Sequence, residues 1–167
     1  MEYSERISDL KPLFNNADHI DIKKIEGTVS LDHFIASMLS YMPWWLRFLY
    51  RLRAYLVRLL GMRQGKIEFE KALQPEDISF KKGKKAFFFT VKEAKEDSWW
   101  FAEATDKHLT AYLGAVAEPL GGENKRFHVI TIVHYRHWTG PVYFNIIRPF
   151  HHLVVSAMAR AGIKNNP

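Results

Sequence analysis

The chain has 167 residues, 47% hydrophobic and 14% aromatic, with no cysteine and a net charge of +6. That length suits one domain with its own core, and the composition excludes a chain disordered over most of its length. The missing cysteine excludes disulfides, thiolate metal ligands and a cysteine nucleophile, while the basic excess favours anionic partners without any nucleic-acid-binding module beside it, so no nucleic acid is expected as a partner.

Residues Met1 to Phe14 mix acidic and basic side chains and lack the apolar core of a secretory signal; with the absence of cysteine, this predicts a cytoplasmic protein. Ile20, Ile22 and Ile25 alternate loosely with polar neighbours up to Gly27, which predicts a first strand over Ile20 to Thr28. Ser30 then has the character of an N-cap. Leu31, Phe34, Ile35 and Met38 fall on one helical face behind it, and Pro43 punctuates the end.

Trp44 to Leu60 reads as a second helix, with Gly61 where a C-terminal cap stands. Arg47, Arg51 and Arg58 share a face by spacing, and Leu49, Leu52, Leu56, Leu59 and Leu60 occupy much of the rest. With Arg53 the segment holds four arginines, too costly a load for a membrane-spanning helix. The pattern fits a helix packed on a sheet with its arginines snorkelling to water and, less commonly, a basic helix making weak contact with a membrane surface.

From Lys66 to Thr105 the sequence reads as a meander of short strands: Ile67 and Phe69 between charges, then Phe87 to Val91, then Trp99 to Ala104. The Lys81 to Lys85 cluster around Gly83 and the stretch Lys92 to Asp97 read as hairpin connections. His108 to Val116 predicts another strand, broken by Pro119 and the Gly121-Gly122 pair. In a last strand, His128 to Trp138, Val129, Thr131 and Val133 share one face and Ile130, Ile132 and His134 the other. Neither face is purely polar, so partial cover on both sides is expected.

A long helix follows, beginning near Pro141, with Ile146, Phe150, Leu153, Val154 and Met158 at helical period. Pro149 has no N–H for the carbonyl of Asn145, so it either kinks this helix or starts another. Gly162 ends it, and Lys164 to Pro167 read as a frayed tail.

Three groups of residues carry a family resemblance: Pro43-Trp44-Trp45-Leu46 with Leu52-Arg53, then Asp106-Lys107-His108-Leu109, then Tyr143 through Pro149-Phe150-His151. They resemble a bacterial family known as domain of unknown function 2867, over roughly residues 15 to 162. Thr110 departs from the family pattern, in which an acidic residue often follows the His-Leu pair. The order of elements resembles the START and Bet v 1-like (SRPBCC) superfamily, which implies an α+β helix-grip fold. In that fold a curved antiparallel sheet wraps a long C-terminal helix, with two helices after the first strand, all in one domain over residues 1–167. The same resemblance implies a cavity between sheet and terminal helix that often holds a lipid, isoprenoid or other apolar ligand.

Candidate chemistry is sparse. Six of the eight histidines lie in the C-terminal half, yet no HxxxH or HExxH spacing appears, so no metal site and no cofactor are expected. Asp106 and His108 share one strand face, as do His134 and Arg136, an arrangement that fits either an acid–base group or a charge pair at a strand end. Tyr112, Tyr135, Trp138 and Tyr143 fit either a pocket wall with polar handles or simple core filling. No GxSxG elbow is present.

The leading expectation is a small apolar or amphipathic ligand bound between the sheet and residues Val142 to Ala161. The expected binding residues are His108, Tyr112, His134, Arg136, Tyr143 and His151. The alternatives are a small-molecule enzyme of cyclase or hydrolase-like acid–base chemistry, using His108 or His134 with Arg136 holding an anion, and a peripheral membrane protein.

Overall fold

The computed structural model describes residues 10–61 and 72–164. Its strands are β1 (His19–Gly27), β2 (Lys85–Ala86), β3 (Phe89–Lys95), β4 (Trp99–Thr105), β5 (Leu109–Gly121) and β6 (Asn124–Tyr135). Its helices are α1 (Leu31–Ser40), α2 (Trp44–Leu59) and α3 (Thr139–Gly162), preceded by a helical turn over residues 10–14. The six strands form one antiparallel sheet in the order β1-β6-β5-β4-β3-β2. The first strand therefore docks on the last, and the connection from β1 to β2 carries α1 and α2. This is the α+β helix-grip arrangement expected from the sequence.

Alternation along each strand decides what lies on the two faces of the sheet. Phe127 and Val129 of β6, with Ala115 and Ala117 of β5 and Trp100 of β4, point inward to α1 and α3 and join Phe34, Ile35 and Met38 in the main core. Phe34 stacks on Phe127 with ring centroids 4.2 Å apart, filling that end of the interior. The other parity points outward: Ile130, Ile132, Val116 and Phe101 are buried beneath Leu10, Leu13 and Phe14 of the N-terminal turn. Both faces are covered, as the mixed alternation of β6 predicts.

Gly114 is the residue that lets this outer layer close. A Cβ there would lie 2.1 Å from the Phe101 ring, so only glycine admits the aromatic against the strand.

Several boundaries differ from the sequence reading. β5 continues through Pro119 to Gly121, because the register slips between those two residues and the proline sits where the ladder is already interrupted. Phe87 takes a left-handed backbone with φ of 58°, so Phe87 and Phe88 form the β2–β3 turn and the strand begins at Phe89. Lys92 to Lys95 belong to β3, and the connection to β4 is confined to residues 96–98. α3 begins at Thr139 and runs unbroken through Pro149, so the proline neither ends it nor starts a second helix. The predicted strand at Ile67 and Phe69 and most of the predicted tail lie outside the described residues.

Candidate functional site

Where α1 packs, large side chains fill the interior; beneath α2 they do not. The inner face of the sheet is lined there by Ala104 and Ala111, directly paired between β4 and β5, and by Leu113 and Thr131. Small residues below a helix held off by the bulk of Leu46, Tyr143 and Phe144 leave a cavity of about 740 Å³. Leu49, Leu52 and Leu56 of α2 cover it, Ile147, His151 and Val154 of α3 form one wall, and Phe87, Phe88 and Phe89 the other. Leu52, Tyr55, Leu59, Phe88, Ile146 and Phe150 border this cavity while exposing large apolar surface to water, so they form an open mouth.

Few polar groups enter this apolar space. Arg53 sits on the cavity side of α2 and donates from Nε to the hydroxyl of Tyr143, which is almost fully buried. Burial pushes the Tyr143 and Tyr50 phenols above their ordinary range, and the Arg53 guanidinium partly offsets the effect at both. Asp106 also borders the cavity, but its Oδ1 accepts the backbone N–H groups of His108 at 2.7 Å and Leu109 at 2.9 Å, closing the β4–β5 turn. On the opposite wall, His151 Nε2 lies 3.3 Å from Thr131 Oγ1. Burial, reinforced by neighbouring His152, lowers the His151 pKa from 6.5 to about 4, so the ring is neutral near pH 7 and offers one donor and one acceptor.

The expected binding residues separate into two groups. Tyr143 and His151 line the cavity. Tyr112 borders it, yet its ring stands edge-on to the imidazole of His134, with centroids 5.8 Å apart. His134 has outward parity, its Nε2 3.1 Å from the carbonyl of Leu13 in the N-terminal turn. His108 lies outside the cavity, its Nδ1 2.6 Å from Thr139 Oγ1, where it ties the β4–β5 turn to the start of α3. Arg136 is exposed, and its backbone N–H donates to the carbonyl of His108. Asp106, His134 and Arg136 thus do not converge on one space, because strand parity sends the histidine to the outer face.

Arg53 is legible in the sequence only as the fourth arginine of its helix and in the Leu52-Arg53 motif, not as a binding residue. The signal was present: on a helical wheel Arg53 falls away from the arc shared by Arg47, Arg51 and Arg58, among the leucines. The Phe87-Phe88-Phe89 wall was hidden because three aromatics in a row read as a strand. Among the described residues, no group of three or more His, Cys, Asp or Glu side chains is placed to hold a metal ion, and no helix is long and apolar enough to cross a membrane.

Fold and site together define a helix-grip protein with a preformed, mostly apolar cavity open at one side. The chain belongs to the family described as a protein of unknown function, DUF2867, whose sequence model matches residues 13–158. No curated protein matches it. Among solved structures it is similar to norcoclaurine synthase from Thalictrum flavum in complex with dopamine and hydroxybenzaldehyde, with 12% identity and a TM-score of 0.42 over 99% of this chain and 95% of that one. A truncated form of the same synthase gives 13% identity and a TM-score of 0.42 over 89% of this chain and 95% of that one.

Proposed function

We propose that this protein binds a small apolar or amphipathic molecule in the cavity between the sheet and α3. The observation that carries the reading is the cavity itself, about 740 Å³ and mostly apolar, with Arg53, Asp106, Thr131, Tyr143 and His151 among its few polar contributors. Ligand pockets commonly enclose roughly 300–1,000 Å³ and combine apolar walls with a few placed polar groups. An apolar ligand entering this space removes its own surface and that of the apolar walls from water, which stabilises the complex. The polar groups suit a ligand with one polar end, held near Arg53 and Tyr143, and a neutral hydrogen-bonding group facing His151.

Native mass spectrometry of freshly purified protein, followed by organic extraction and identification of the extract, tests this reading. The expected result is a mass above that of the 19.6 kDa chain, discharged on extraction as a small lipid-like or aromatic compound. A protein that carries nothing, and whose melting temperature is unmoved by a panel of fatty acids, isoprenoids and aromatic acids, contradicts it.

A further inference from the structure

Five large apolar side chains of α2 face water: Trp44 at 81% exposure, Phe48 at 60%, Leu52 at 47%, Tyr55 at 63% and Leu59 at 66%. At about 100° per residue they fall within one arc, and Arg47, Arg51 and Arg58, all exposed, fill the arc beside it. Such a helix has two wet faces, one apolar and one cationic. α3 contributes a second stripe of Val142, Ile146, Phe150 and Leu153, and the β2–β3 turn adds Phe88 close in sequence to exposed Lys84 and Lys85. These pieces are one surface, because side chains from all three border the same cavity mouth. Soluble monomers rarely leave so continuous an apolar surface open without an interaction to cover it.

The charge pattern identifies the occupant. The chain has 18 acidic residues, yet none lies on α2 or α3. Among the described residues, Arg47, Arg51 and Arg58 enter no ion pair. Asp106, the carboxylate at the cavity, is engaged by the β4–β5 turn. A second copy of this chain fits poorly, since a two-fold contact presents the same face twice and neither α2 nor α3 carries a carboxylate to meet the partner's arginines. An anionic bilayer supplies both things the face lacks, an apolar layer for the aromatics and phosphates for the arginines.

We propose that the cavity mouth is a docking face for anionic membranes, with the apolar stripes of α2 and α3 entering the headgroup boundary and Arg47, Arg51 and Arg58 engaging lipid phosphates. Docking in this pose presents the cavity to the bilayer. Transfer of a molecule between bilayer and cavity rests on the ligand-binding reading above; the docking does not.

Co-sedimentation with vesicles tests the proposal, using mixed phosphatidylglycerol–phosphatidylcholine vesicles beside phosphatidylcholine alone. The wild-type protein is expected to pellet with the anionic vesicles, more weakly at raised salt, and weakly with phosphatidylcholine. An Arg47→Glu/Arg51→Glu variant should bind at least about tenfold more weakly, and Trp44→Ser/Phe48→Ser should also lose binding. All four positions are exposed, so circular dichroism should show both variants folded. Absence of pelleting with anionic vesicles overturns the proposal, as does binding that ignores both variants. Sedimentation velocity showing a dimer that the Trp44→Ser/Phe48→Ser variant abolishes, with no vesicle binding, assigns the face to a second copy and overturns it too. Pelleting is scored whether or not mass spectrometry finds a bound molecule, so the two readings fail separately.

Discussion

His151 shows how a single side chain couples the cavity to stability. Its folded pKa, about 4, lies below the ordinary 6.5. Between those values the unfolded chain holds a proton that the folded protein refuses, so stability falls as pH drops through this window, by roughly 3 kcal/mol in all. His19 is also lowered by burial and by His152, and contributes with the same sign. Urea unfolding at a series of pH values should show the loss, and His151→Gln should flatten it; an equally steep loss in that variant would exclude His151 as its source. At Gly114 the constraint is steric. Gly114→Ala places a methyl against the Phe101 ring and should cost on the order of 1–3 kcal/mol, read as a lower denaturant midpoint with an unchanged slope. Residues such as Tyr143 and His151 were legible because they belong to the family-like run along a well-marked helix. His134 was misplaced relative to the cavity because alternation shows which residues share a face, and only packing shows which face holds the space.

At the scale of elements, β6 and α3 were legible because their periods are unambiguous, two for the strand and about 3.6 for the helix. The failures have local causes. Pro119 reads as a strand breaker, yet it sits beside a register slip in which a missing N–H is tolerated. Pro149 lies in the solvent-exposed middle of α3, where the helix continues around one lost hydrogen bond. The helical turn at residues 10–14 is illegible in the sequence because its cue is only Leu10, Leu13 and Phe14 around Lys11 and Pro12, too short a run to show a period. The β4–β5 turn is a place where one side chain organises two elements. Asp106 accepts both free N–H groups at its tip, so Asp106→Ala should destabilise the protein by about 1–2 kcal/mol, measurable by thermal unfolding. A melting temperature equal to wild type would show that water replaces the carboxylate without loss.

On the scale of the whole molecule, one end of the interior is packed by α1 and stacked aromatics, while the other lies under a helix that meets the sheet only through a few large side chains. The cavity is therefore a consequence of residue size along β4 and β5, and refilling those positions should remove it. A double variant, Ala104→Phe/Ala111→Phe, places two rings from directly paired strand positions into the space. The most direct measurement is a fluorescence titration of extracted protein with an apolar anionic probe such as 1-anilinonaphthalene-8-sulfonate, comparing wild type with this variant. Saturable one-to-one binding by the wild type, weakened at least about tenfold in a variant that keeps its fold, is the expected result. Unsaturable binding, or the same affinity in both proteins, would contradict a ligand site between the sheet and α3.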